Sequence, residues 1–263
     1  MAAIAQDARK NYTVAASKVS IVTGSARGIG RACAHALADK GHAVALVDLL
    51  EPEMACTKGE IEAKGVPCLT FSADVADHQR AKDIVNEVAR QWGRIDTLVN
   101  NAGRSQAKGI LELTEAEWDA TIATNLKSCF NYIQPVVPHM RKGKAGRIVS
   151  MSSLNAHTGG VTAAVSKFAY AAAKAGIIGM TRALSKELGP EILVNCVCPG
   201  LIKTEVVGNV LIRDREAELV KGIALKRVGT PSDVAQVVAF LATSEPCFVT
   251  GQDISIDGMQ WNR

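Results

Sequence analysis

The sequence holds no C-x-x-C pair, no long apolar run and no excess of one charge. Its seven cysteines, at 33, 56, 68, 129, 196, 198 and 247, are odd in number. Neither a disulfide framework nor a zinc site is indicated, and no metal is expected. The cysteines read as small buried hydrophobes in a reducing cytosol, so a cytoplasmic location is the expectation. Cys196 and Cys198 fall on one face of a predicted strand, where packing rather than ligation is the expected role. No apolar run reaches transmembrane length. Met1 to Lys18 contains Asp7 and lacks an apolar core, so residues 1–17 read as a loose N-terminal extension rather than a secretory signal.

Thirty basic against 26 acidic residues leave a net charge of +4, too mild and too dispersed for a nucleic-acid partner. The densest basic run, Arg141-Lys142-Gly143-Lys144 with Arg147, reads as a solvated turn, and docking of an acidic partner is the lesser alternative. With 48% hydrophobic and 21% charged residues the chain is ordinary for a soluble globular protein. Its 263 residues suit one large α/β domain or two small ones.

From Lys18 onward, short apolar runs alternate with amphipathic segments. That is the pattern of a single doubly wound parallel sheet of Rossmann type with helices on both faces. Strands are expected at Val19–Thr23, Ala43–Asp48, Val66–Phe71, Asp96–Asn100, Gly146–Met151, Leu193–Val197 and Ile254–Ile256. Helices are expected at Gly28–Lys40, Glu53–Lys64, Asp77–Trp92, Tyr170–Leu188 and Pro231–Thr243. Thr114-Glu115-Ala116-Glu117 reads as a capping box, opening a long helix to about Phe130 with a break near Pro135 and Pro138. Neither a linker nor an internal repeat is visible, so residues 18–263 read as one domain.

Thr23-Gly24-Ser25-Ala26-Arg27-Gly28-Ile29-Gly30 joins the first strand to the first helix. Glycines there permit a tight turn and let a diphosphate approach the backbone at the positive end of the helix dipole. The spacing is G-x-x-x-G-x-G, not the commoner G-x-G-x-x-G. Such a turn can be structural, but at the first turn of a doubly wound sheet it points to a dinucleotide. Asp48 ends the second strand eighteen residues beyond Gly30. A carboxylate there accepts from ribose hydroxyls and repels a 2′-phosphate, which favours NAD, with NADP as the alternative. A loop aspartate capping the next helix is the competing reading. Arg27 pulls the other way, since its guanidinium can meet a phosphate.

Tyr170-Ala-Ala-Ala-Lys174 places a phenol and an amine one helical turn apart on one face. A free tyrosine titrates near ~10 and is a poor base at neutral pH, so a neighbouring ammonium that favours the phenolate makes it usable. Tyr12 and Tyr132, the other two tyrosines, have no such lysine. The spacing alone is also common on solvated helices.

Together with Asn100-Asn101-Ala102-Gly103 after the fourth strand, the glycine turn and the Tyr170/Lys174 pair resemble the short-chain dehydrogenase/reductase family. The likeness runs from Lys18 to about Gly258, with the motifs in family order. It implies that Tyr170 exchanges a proton with the substrate oxygen, that Lys174 binds the nicotinamide ribose, and that Ser153 hydrogen-bonds the substrate oxygen. Asn125 would hold a proton-relay water through its backbone carbonyl; without the resemblance it would read as an exposed helical asparagine. By the same likeness Gly24, Arg27, Gly28, Ile29 and Gly30 take the diphosphate side of the cofactor and Asp48 its ribose. Asp74 and Val75 contact adenine, and Asn101, Ala102 and Gly103 line the cofactor groove. Pro199-Gly200-Leu201-Ile202-Lys203-Thr204 clasps the nicotinamide, with Ile202 and Thr204 near its carboxamide. Residues 203–228 would form the substrate lid, where Arg213, Asp214, Arg215 and Glu216 read as a solvated helix face. Ser153 precedes Tyr170 by seventeen residues, more than is usual in the family, so the intervening loop is unusual where it borders the pocket. His157, inside it, reads as an exposed loop histidine.

The resemblance implies an oxidoreductase interconverting a secondary alcohol and a ketone. Asp48 and the Gly189-Pro190-Glu191 turn lean the substrate toward a small hydroxylated metabolite such as a sugar, polyol or hydroxy acid. A 3-oxoacyl-ACP or -CoA reductase is the alternative, and a non-catalytic dinucleotide-binding sensor or scaffold is the alternative of another class. The expected partners are a small-molecule substrate and copies of the chain itself, as a tetramer or dimer, with neither nucleic acid nor membrane. Trp261 near the chain end fits burial against such a copy.

Overall fold

The computed structural model describes residues 18–160, 166–205 and 210–261; the expected N-terminal extension lies outside them. Numbered in chain order, the strands are β1 Lys18–Thr23, β2 His42–Asp48, β3 Cys68–Ser72, β4 Thr97–Asn100, β5 Gly146–Met151, β6 Ile192–Pro199 and β7 Asp253–Ile256. The helices are α1 Gly28–Ala38, α2 Glu51–Glu62, α3 His78–Trp92, α4 Glu115–Ile122, α5 Ser128–Lys142, α6 Asn155–Thr158, α7 Phe168–Leu188, α8 Val210–Leu219 and α9 Pro231–Thr243. The strands form one parallel sheet in the order β3-β2-β1-β4-β5-β6-β7. The order reverses direction beside β1, where doubly wound sheets bind their ligands.

Strand alternation sorts the core into two layers. Val19, Ile21, Ala45, Leu98, Ile148 and Cys196 face one way and pack with α3, α5 and α7. Val22, Leu46, Val99, Val149 and Val197 face the other and pack with α1, α2 and α9. Period-two side-chain alternation in strands covered on both faces accounts for the continuous apolar runs.

The segment after Thr114 departs from expectation. The capping box forms as read, with Thr114 and Glu117 exchanging hydrogen bonds. α4 then passes through a π-helical turn, Ala123–Lys127, into α5, which continues through Pro135 and Pro138 without the expected break. The prolines point away from buried Tyr132, Val136 and Met140. Each proline removes one helical N–H, and apolar burial of Tyr132, Val136 and Met140 holds the helix together through them. α6 was not expected at all.

α9 starts as its sequence suggests, with Pro231 in the first turn and a capping box between Thr230 and Asp233. The Arg227 guanidinium, 2.7 Å away, and the Thr230 amide hold the Asp233 carboxyl well below the usual carboxylate range. The cap continues into Gly229, whose backbone bonds Leu201 and Lys203 on the segment beyond β6. Replacing Thr230 with Ala should therefore cost about 1 kcal/mol and lower the thermal midpoint by about 2–4 °C. An unchanged midpoint in a calorimetric scan would show that α9 does not depend on this cap.

Candidate active site

Every sequence-selected residue among those described gathers at the carboxyl ends of β1 to β6, and backbone chemistry holds them there. β1 ends at Thr23, whose Oγ1 accepts from the amides of Asn101 and Ala102 at 3.0 and 3.1 Å. The Asn101 carboxamide donates back to the carbonyls of Thr23 and Gly24. This double clamp leaves no room for side chains. A Cβ at Gly30 would overlap the Gly24 carbonyl and stand 2.5 Å from Asn101 Nδ2. Gly24 and Gly28 have φ of 63° and 57°, which L side chains rarely adopt. α1 begins without a side-chain cap or an acidic residue in its first turn, so its N-terminal amides can serve an anion; the first of them, Gly28 N, donates to the Glu205 carboxylate at 3.2 Å.

Asp48 does more than was expected of it. Its Oδ2 accepts from Ala26 N at 3.0 Å, inside the glycine turn, and its Oδ1 accepts from Leu49 N and Leu50 N. The carboxylate thus braces both the glycine turn and the approach to α2, though it does not cap that helix. Arg27 is half-buried in the same turn. Beyond β3, Asp74 is exposed and Val75 buried, with the Val75 carbonyl held by Asn131 Nδ2 at 2.9 Å.

On α7, Tyr170 is half-buried and Lys174 only 3% exposed. Lys174 Nζ lies 5.6 Å from the Tyr170 ring centroid and donates to the Met151 carbonyl at 2.7 Å. Asn125, named by the resemblance, is fully buried in the π-helical turn rather than exposed as an isolated helical asparagine would be. Its Nδ2 donates to the carbonyls of Arg104 and Thr121, and its Oδ1 accepts from Arg104 N. Between them sits Gly103, where a Cβ would approach Asn125 Oδ1 to 2.8 Å and Lys174 Nζ to 3.4 Å. Such π turns recur at functional sites because they release a carbonyl from the helical ladder. Ser152 Oγ is committed to the Lys174 carbonyl at 2.8 Å. Ser153 is half-buried and its Oγ accepts from Asn155 N at 3.2 Å, which leaves its own proton to donate. β6 delivers Pro199 and Gly200, and Ile202 bridges to Gly229. Thr204 is half-buried just beyond.

Other expectations need correcting. His157 is no exposed loop residue: it sits on α6, its Nε2 3.2 Å from Asp253 Oδ2, stacked on Trp261 at 4.9 Å. Trp261 therefore finds a partner within its own chain. Residues 161–165 of the long Ser153–Tyr170 loop, and lid residues 206–209, lie outside the described residues, as do the side chains of Arg213 and Asp214. Sequence reading missed Thr23, the hydroxyl of the central clamp. Its place directly before the glycine turn was the available signal. The Glu205–Gly28 contact spans 177 positions and had none. No described helix is long and apolar enough to cross a membrane.

The family model for Enoyl-(Acyl carrier protein) reductase matches residues 24–258. The 3-oxoacyl-[acyl-carrier-protein] reductase FabG of Staphylococcus epidermidis is 39% identical over 244 residues, covering 92% of this chain and 98% of that protein. Its counterpart from Thermotoga maritima is 40% identical over 242 residues, covering 92% and 96%. Among solved structures, a short-chain dehydrogenase/reductase of Brucella melitensis described as a glucose/ribitol dehydrogenase superposes with a TM-score of 0.85. It is 32% identical and is matched over 94% of this chain and 97% of its own. With the glycine turn, the Asn101 clamp and the Tyr170/Lys174 pair assembled at one end of this sheet, the chain belongs to the short-chain dehydrogenase/reductase family.

Proposed function

We propose that the protein interconverts a secondary alcohol and a ketone at Tyr170, with a nicotinamide dinucleotide as the hydride carrier. The observation that carries this reading is the buried Lys174 beside Tyr170 and Gly103, its ammonium on the Met151 carbonyl two residues before Ser153, on the same sheet as a glycine turn suited to an anion. The residues present fit such a cofactor: first-turn amides of α1 for the diphosphate, Asp48 for a ribose, and Ile202 and Thr204 for the nicotinamide end. When bound, the dinucleotide supplies or accepts the hydride. Tyr170 moves the proton, giving it to the forming alkoxide in reduction and taking it in oxidation. Ser153 donates to the same oxygen as negative charge develops there. The Lys174 ammonium favours negative charge on the phenol oxygen, and Asn125 keeps Gly103–Arg104 packed against it.

The named relatives favour 3-oxoacyl thioesters as substrates over the sugars, polyols and hydroxy acids to which the sequence leaned. The second reading, a polyol or sugar, keeps the support of the glucose/ribitol dehydrogenase neighbour. Asp48 supports NAD, since its carboxylate would face a 2′-phosphate with like charge. NADP remains the alternative.

Tyr170→Phe should lower kcat by about 10²–10⁴-fold while NADH binding, followed by fluorescence, stays within a factor of about three. Unchanged turnover would remove Tyr170 from the mechanism and favour a dinucleotide-binding scaffold. Reduction of acetoacetyl-CoA should proceed with a higher kcat/KM than oxidation of any polyol in a panel, and the reverse order would reinstate the polyol reading. Asp48→Ala should shift the kcat/KM ratio toward NADP by about tenfold, the equivalent of about 1.4 kcal/mol. No shift would mean that the carboxylate only braces the turn.

A further inference from the structure

Behind Ser153, on the α7 side of the sheet and away from the glycine turn, three side chains converge from distant parts of the chain. They are His157 on α6, Cys198 on β6 and Asp253 on β7. A ring nitrogen, the thiol sulfur and a carboxylate oxygen all lie within 4.8 Å of one another. Cys198 is fully buried, and the side chains of His157 and Asp253 are largely so. β6 and β7 pair Cys196 with Asp253 in register, so Asp253 and Cys198 project to the same face two positions apart. α6 is tied to that edge by Leu154 N donating to the Pro199 carbonyl.

A hydrogen-bonded network explains part of this cluster. His157 Nε2 sits 3.2 Å from Asp253 Oδ2, and the Arg182 guanidinium meets Asp253 Oδ1 at 2.8 Å. That network leaves the sulfur unexplained. A fully buried sulfur facing an imidazole and a carboxylate is a donor set of the kind zinc selects.

We propose that His157, Cys198 and Asp253 form a binding site for a thiophilic divalent cation, Zn²⁺ in the first instance, which fastens the Ser153 loop to the sheet edge. Zinc bonds of about 2.0–2.3 Å imply ligand-to-ligand edges of roughly 3.3–3.7 Å in a tetrahedron. The His157–Asp253 separation of 3.2 Å is already close to that length, and the Cys198 sulfur lies within 4.8 Å of both. Asp253 Oδ2 faces the site while Oδ1 stays with Arg182, an outer partner that orients the carboxylate. Three protein ligands leave a fourth position for water, and Trp261, stacked on His157, shields one side. Binding displaces the Cys198 proton to solvent, so affinity rises with pH. The three ligands are 41 and 55 residues apart along the chain (198 − 157 and 253 − 198), which is why cysteine spacing alone indicated no metal.

Co²⁺ titration of the full chain tests this, in a Cys56→Ser, Cys247→Ser background that removes the thiols not fully buried. The expected result is one Co²⁺ per chain with a near-ultraviolet thiolate-to-cobalt band, displaced by Zn²⁺, together with a raised thermal midpoint in Zn²⁺. Cys198→Ser should lose the band and the Zn²⁺-dependent shift, and Asp253→Asn should weaken binding about tenfold or more. NADH binding in each variant, unchanged, establishes that it is folded. No band at excess Co²⁺, or a band that survives Cys198→Ser, overturns the site.

Discussion

The Lys174 ammonium is a full charge at 3% exposure, and the active end of the sheet is arranged around the need to solvate it. A buried cation costs several kcal/mol unless acceptors replace water. Met151 supplies one at the last residue of β5, so the register of β5 against β4 and β6 sets where the amine can lie. The helix that carries Lys174 is positioned by Ser152 Oγ bonding the Lys174 carbonyl. Gly103 has no side chain because the amine and Asn125 already fill its neighbourhood. Tyr170, one turn earlier on the same helix, is brought to the pocket as a consequence of where its lysine must be.

The cofactor side obeys a different constraint, steric rather than electrostatic. Thr23, Gly24, Gly30 and Asn101 are packed so closely that two loops from neighbouring strands behave as one piece. Asp48 extends that piece to a third strand by accepting from Ala26. A ligand entering here meets amides whose positions are set before it arrives, which lowers the ordering cost of binding. The two halves meet at Asn101–Gly103, clamped to the glycine turn at one end and packed against Lys174 at the other.

The sheet and most of its flanking helices were legible because their signals are local, while Ser153 and Asn125 were named only by the family resemblance. Apolar runs bounded by glycine marked the strands, and four-residue spacing marked Tyr170 and Lys174. What was not legible depends on partners far along the chain. Asn125 looks like a surface residue until Arg104, twenty-one positions away, takes its carboxamide. Pro135 and Pro138 look like a break until the buried face of α5 holds the helix through them. His157 looks like a loop residue until Asp253 and Trp261 cover it.

The same distinction separates the chemistry from the choice of substrate. On the proposed reading, proton transfer depends on groups close to the end of β5: Lys174 bonds the Met151 carbonyl and Ser153 accepts from Asn155 N. The segments expected to border the substrate are tied to the body of the fold by Lys167 N to the Gln106 carbonyl before α7 and by Lys203 N to the Gly229 carbonyl beyond β6, among others. Glu205 extends the second tie to the Gly28 amide. A carboxylate and a diphosphate cannot both be satisfied by that single donor, since the second anion would bring like charge to a position already neutralised. On the proposed reading, Glu205 and the phosphate end of the cofactor would therefore draw on the same N–H.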